Sequence, residues 1–283
     1  MTNLISAGLA RLWKAKIFLF SVVFMFLISV LVIINQYRTS LDYGLTLSLN
    51  NIIFGYTLII GIVAAAFSSL FLGAEYSDGT IRNKLVAGHT RAAIYCSNLI
   101  VTIIAALLMS AAYLIAVFAF GMPLIGALDL SDIGPLAFAA TIFGSIAMIC
   151  AVCAILTAIS MLISNKAVAA IVSIFVMLGI LLFAIEVESR LLAPEFYSPF
   201  TIVSSDENGP MELAQETVEN PQYLRGAERR VYEYIFDILP AGQALQYARM
   251  GAVHLWQMPL YSLAIVLLFT LFGYTVFRKK NIN

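Results

Sequence analysis

Six long stretches of this chain, residues 17–34, 52–73, 92–121, 133–163, 167–185 and 259–277, contain no Asp, Glu, Lys or Arg. Crossing the hydrocarbon layer of a bilayer takes about 20 mainly apolar residues in a helix. A segment in lipid must also satisfy its backbone polar groups internally. A composition 61% hydrophobic and 11% charged, with a mean hydropathy of +0.94, agrees with burial in lipid rather than in a water-soluble core. The expected fold class is an all-α polytopic membrane protein with six transmembrane helices.

Residues 1–16 place Ile5, Leu9, Leu12 and Trp13 on one helical face with Arg11 and Lys14 off it, the pattern of an interfacial helix. A basic segment before an apolar run also fits a signal peptide. The run at 17–34 is longer than a signal core, however, and Asn35-Gln36-Tyr37-Arg38 offers no small-x-small cleavage site, which favours an anchor. Spans one to five then occupy 17–185. Polar and acidic residues dominate 186–258, a structured extracytoplasmic insert with helical periodicity over 223–239 and 241–250. Span six covers 259–277, and 278–283 forms a cytoplasmic tail opened by Arg278-Lys279-Lys280.

Two stripes of small residues suggest helix contacts, since small side chains let backbones approach where lipid removes the hydrophobic drive. One is Gly61, Ala65, Ser69 and Gly73 in span two; the other is Gly144, Ala147, Ala151, Ala154 and Ala158 in span four. Their spacing leaves open whether the contacts lie within one subunit or across a dimer.

Between spans two and three lies a polar island at 75–91, EYSDGTIRNKLVAGHTR, holding Glu75, Asp78, Arg82, Lys84 and Arg91. Ser77 and Asp78 are N-cap types, Ile81 and Leu85 share one helical face, Gly88 suits a left-handed stop, and Thr90 suits the cap of the next helix. The expectation is a short amphipathic helix with Arg82, Asn83 and Lys84 on or beside its free face. A solvated basic loop held on the cytoplasmic side by its charge fits the same residues. Glu75-Tyr76, Gly79-Thr80-Ile81-Arg82-Asn83-Lys84-Leu85, Gly88 and Arg91 resemble the segment between the second and third spans of ABC-2 type transporter permeases. That resemblance implies a coupling helix whose residues Glu75, Asp78, Gly79, Thr80, Ile81, Arg82, Asn83, Lys84, Leu85, Gly88 and Arg91 meet a cytoplasmic ATPase subunit. It further implies two such subunits carrying the ATP and Mg, a second permease copy or a related permease, a bacterial plasma membrane, and external helices between spans five and six.

Orientation follows from the charges. With both termini and the loops at 75–91 and 164–166 inside, ten of the sixteen Lys and Arg residues face the cytoplasm and six face outside. No P-loop motif is present, so ATP hydrolysis has to reside on a partner, and the chain itself is expected to be neither an enzyme nor a cofactor carrier. No basic tract suggests nucleic acid. Cys150 and Cys153 form a lone C-x-x-C without a second pair, read as packing residues. Asp206-Glu207-Asn208-Gly209 lacks calcium-loop spacing, and Arg229-Arg230 beside Glu228 and Glu233 reads as helix-surface pairing. The expected function is the membrane subunit of an ATP-driven exporter, its cargo unspecified by any residue. The alternatives are a membrane receptor or assembly protein using the island as a docking loop, or an ATP-independent carrier, which the uncharged spans disfavour.

Overall fold

A computed structural model describes residues 1–44, 48–131, 133–198, 200–204, 211–215 and 217–280, with the backbone alone at 200–204 and 211–215. The Asp206 to Gly209 string therefore lies outside the described residues. Among those described, six helical segments are long and apolar enough to cross a membrane: Lys16–Tyr43, Leu49–Ser77, Arg91–Ile125, Pro135–Leu162, Lys166–Leu191 and Met258–Lys279.

Helix α1, Thr2–Lys14, precedes α2, Lys16–Tyr43. A 3₁₀ turn at Leu49–Asn51 leads to α3, Tyr56–Ser77, and then to the short α4, Thr80–Val86. Helix α5, Arg91–Ala116, continues through a π-helical turn, Val117–Gly121, into α6, Met122–Ile125. Helices α7, Pro135–Leu162, and α8, Lys166–Leu191, are joined by a tight turn. Several helices outrun the apolar stretches: α2 passes through the polar Asn35 to Arg38 and α8 continues to Leu191, because a helix need not stop where lipid does.

The insert contains strands as well as helices. Strand β1, Phe196–Tyr197, pairs antiparallel with β4, Val218–Glu219, and β2, Phe200–Ser204, pairs antiparallel with β3, Met211–Gln215. Helices α9, Gly226–Ile238, and α10, Pro240–Ala248, follow within a few residues of their expected bounds. Helix α11, Met258–Lys279, ends the described bundle.

Helices α3 and α7 form the centre, while α2, α8 and α11 turn most of their surface outward. Phe20, Leu31, Phe143, Phe175, Leu182, Leu267 and Leu271 are exposed, as suits side chains whose solvent is lipid. Helix α10 does not sit outside as a cover: Gly242 through Ala248 are all buried, and the helix packs on α3, α7 and α8. Gln243 secures it, donating to the carbonyls of Asp237 at 2.8 Å and Met258 at 3.2 Å while accepting from Ser262 at 2.7 Å.

Both small-residue stripes close inside one chain. The Ser69 hydroxyl donates to the Ala169 carbonyl at 3.2 Å and shares a 2.9 Å hydrogen bond with the Ser173 hydroxyl, and a side chain at Gly73 would collide with Lys166, so α3 and α8 meet at this stripe. On α7, Gly144 lies against the ring of Tyr247 from α10, and Ala158 lies against Gly273 from α11. Ala151 and Ala154 between them are fully buried.

Candidate functional site: the α4 corner

The loops 75–91 and 164–166, the start of α2 and the end of α11 gather at one end of the bundle. Lys166 backs onto Gly73, Phe18 packs its ring against Phe67 at 6.0 Å, and Arg91 reaches Phe277.

Two glycines set the corner. Ser77 belongs to the last turn of α3 and Asp78 is that helix's C-cap, so neither is the cap of α4 that its residue type suggested. Gly79 takes the role instead, at φ +66°, where the absent Cβ removes the cost of the left-handed conformation. Gly88 at φ +84° ends the unit as expected, and the Thr90 side chain accepts from Ala93 N–H at 3.2 Å to cap α5.

Helix α4 is held by a buried carboxylate. Glu75, on the last turn of α3, is 1% exposed. Its Oε1 accepts from Lys84 Nζ at 2.6 Å and Arg11 Nη1 at 2.8 Å, and its Oε2 accepts from Asn98 Nδ2 at 2.9 Å. One side chain thus ties α1, α3, α4 and α5 together. Arg11 also stacks on the Phe71 ring at 3.9 Å. Burial lowers the Arg11 pKa from its ordinary value, against the opposing pull of Glu75 and then Asp78. Beneath α4, Ile81 is buried with Leu4, Ile94, Tyr95, Met161 and Phe277, and Leu85 packs against that group.

A second set of cations closes helix ends. Arg91 Nη1 donates to the carbonyls of Phe277 at 2.8 Å and Lys280 at 2.6 Å, satisfying the end of α11. Lys280 Nζ donates to Met161 and Leu162 carbonyls at 3.1 and 2.9 Å, closing α7, and lies over the Tyr76 ring at 4.1 Å. The Tyr76 hydroxyl donates to the same Met161 carbonyl. Burial lowers the Lys280 pKa from its ordinary value.

Of the residues expected to meet a partner, Glu75, Lys84 and Arg91 therefore point inward to partners in this chain. Lys84 corrects the expectation that it sits on the free face: its carboxylate partner lies under the helix, in α3. Gly79, Thr80, Ile81, Leu85 and Gly88 shape the corner. Arg82 and Asn83 remain exposed, as does Asp78 on the preceding turn. The sequence reading missed Val86, which is 82% exposed one helical turn beyond Arg82, and it missed Arg11 and Asn98 as anchors. Asn98 carried a signal, an amide inside an apolar run.

Such a bundle, six apolar spans with one short polar helix presented at an end, defines a polytopic helical membrane protein. The family model for ABC-2 family transporter proteins matches residues 9–282, nearly the whole chain, so the chain belongs to the ABC-2 transporter family and is a membrane transport component. No curated protein matches it.

Proposed function

We propose that this chain is the permease subunit of an ATP-driven exporter in a bacterial plasma membrane, with both termini cytoplasmic. Two cytoplasmic ATPase subunits hold the ATP and Mg, and a second copy or a related permease completes the pathway. Exposed Arg82, Asn83 and Val86 on α4 form the contact, a small apolar spot with a guanidinium beside it. The observation that carries this reading is the Glu75 anchorage: force applied to α4 through Lys84 reaches α3, α5 and α1 together, through contacts of 2.6 to 2.9 Å. A solvated loop has no need of a buried carboxylate beneath it.

Purification of the full chain from its native host in mild detergent tests the assignment. A P-loop ATPase travels with the wild type and is lost from an Arg82→Glu, Val86→Asp variant that still inserts and folds. Recovery of the wild type without any nucleotide-hydrolysing partner overturns the reading.

A further inference from the structure

At the opposite end of the bundle from α4, the end of α8, helices α9 and α10 and the turn before α11 line an open cavity of about 380 Å³. That volume lies within the range of small-molecule pockets, and the lining combines apolar side chains with charged and polar ones. Leu191, Leu192, Phe236 and Val253 supply the apolar surface.

The charges are arranged by depth. Asp237 is only 4% exposed at its side chain, its carboxylate accepting from Gln246 at 3.0 Å and meeting His254 Nδ1 at 2.8 Å. Glu188, 11% exposed at its side chain, pairs with Arg249 at 3.0 Å, and Glu233 pairs with Arg229 at 3.1 Å. The two guanidiniums are at the rim, with side-chain exposures of 57% for Arg249 and 39% for Arg229. Three carboxylates thus face two permanent cations, His254 adding a third only when protonated; the two deepest charges, Asp237 and Glu188, are negative, while Glu233, 38% exposed, shares the rim with Arg229. Arg249 also borders a second cavity of about 260 Å³ beside Val32, Ile59 and Tyr113.

The geometry points to a binding site for a small organic cation with an apolar body. Its ammonium takes the place of the Arg249 guanidinium at Glu188, in a cavity that Asp237 also lines, and its hydrocarbon lies along Leu191, Phe236 and Val253. An anion finds the opposite arrangement, guanidiniums at the mouth and the carboxylates of Asp237 and Glu188 beneath. This site is separate from the α4 corner and stands whether or not α4 docks an ATPase.

Calorimetric titration of the full chain in lipid nanodiscs with hexylammonium, set against empty nanodiscs and against hexanoate, tests the site. Saturable binding of hexylammonium is expected, with none for hexanoate. Glu188→Gln weakens it about tenfold, equivalent to ~1.4 kcal/mol. Leu192→Trp narrows the mouth without touching an ion pair, so it lowers affinity in a protein whose charge cluster is intact. Hexanoate binding as tightly as hexylammonium, hexylammonium affinity unmoved by both variants, or no saturable binding to the wild type would each overturn the proposal.

Discussion

Glu75 shows what one buried charge does in this chain. A carboxylate 1% exposed is tolerable because two cations and an amide surround it. Glu75→Ala leaves Arg11 and Lys84 facing each other without their counter-ion. Removing one partner of a buried pair costs about 3–5 kcal/mol, and a fall of that size in thermal or denaturant unfolding is the expected result. Asn98→Ala removes only one neutral donor, and a loss of about 1–2 kcal/mol is expected there. Tyr247 presents the reverse case, a fully buried hydroxyl without a hydrogen-bond partner among the described residues, pressed against Gly144. Tyr247→Phe therefore relieves a desolvated polar atom, and the variant should be more stable by about 1 kcal/mol in the same unfolding measurement. Neither situation was legible in the sequence. Glu75 and Arg11 are far apart along the chain, and periodicity reports which face a residue occupies, never which distant residue it meets. The island itself was legible, since five charges between uncharged runs stand out whatever the fold.

Among the elements, the six spans were readable because lipid imposes a composition on whatever it surrounds, and that constraint is local to each segment. Where protein replaces lipid the constraint disappears. Helix α10 is buried by α3, α7 and α8, so it tolerates Gln243 and Gln246 and looks in sequence like a surface helix. Strands β1 and β4 pair over two residues each, too short for any alternation to register. Helix α4 was readable through Gly88 and the shared face of Ile81 and Leu85, whereas Gly79 at its start was not, since Ser77 and Asp78 are the better cap types; the corner's geometry rests on both glycines. A Cβ added at Gly79 or Gly88 meets nothing within 4 Å, so the cost of substitution is purely that of a left-handed backbone. Gly79→Ala and Gly88→Ala should each destabilise the corner by about 1 kcal/mol. Amide hydrogen exchange, which resolves local opening, should show faster exchange over Thr80–Val86 with the spans unchanged. Equal acceleration across α3 and α5 would mean that the corner has no independent stability.

For the molecule as a whole, the bundle has two chemically unlike ends. Arg11, Lys14, Lys16, Arg82, Lys84, Arg91, Lys166, Arg278, Lys279 and Lys280 cluster at the α4 end, while Arg38, Arg190, Arg225, Arg229, Arg230 and Arg249 occupy the other. The pairing of helix ends makes this grouping a property of the fold: Arg91 holds the end of α11 and Lys280 the end of α7, whereas Arg249 meets Glu188 at the far end of α8. Because Lys and Arg in short loops are retained in the cytoplasm, the α4 end should face inward. Single cysteines test this, placed at exposed Asn83 and Gln222 in a chain whose Cys96, Cys150 and Cys153 are replaced by Ala. An impermeant maleimide should modify the Gln222→Cys protein in intact cells and the Asn83→Cys protein only after the membrane is opened. The opposite labelling would leave every helix contact described here in place, yet it would put α4 on the side without ATP and the cation cavity on the side with it. Force could not then enter through Lys84 and Glu75, and the coupling role of α4 would fail even though the fold stood.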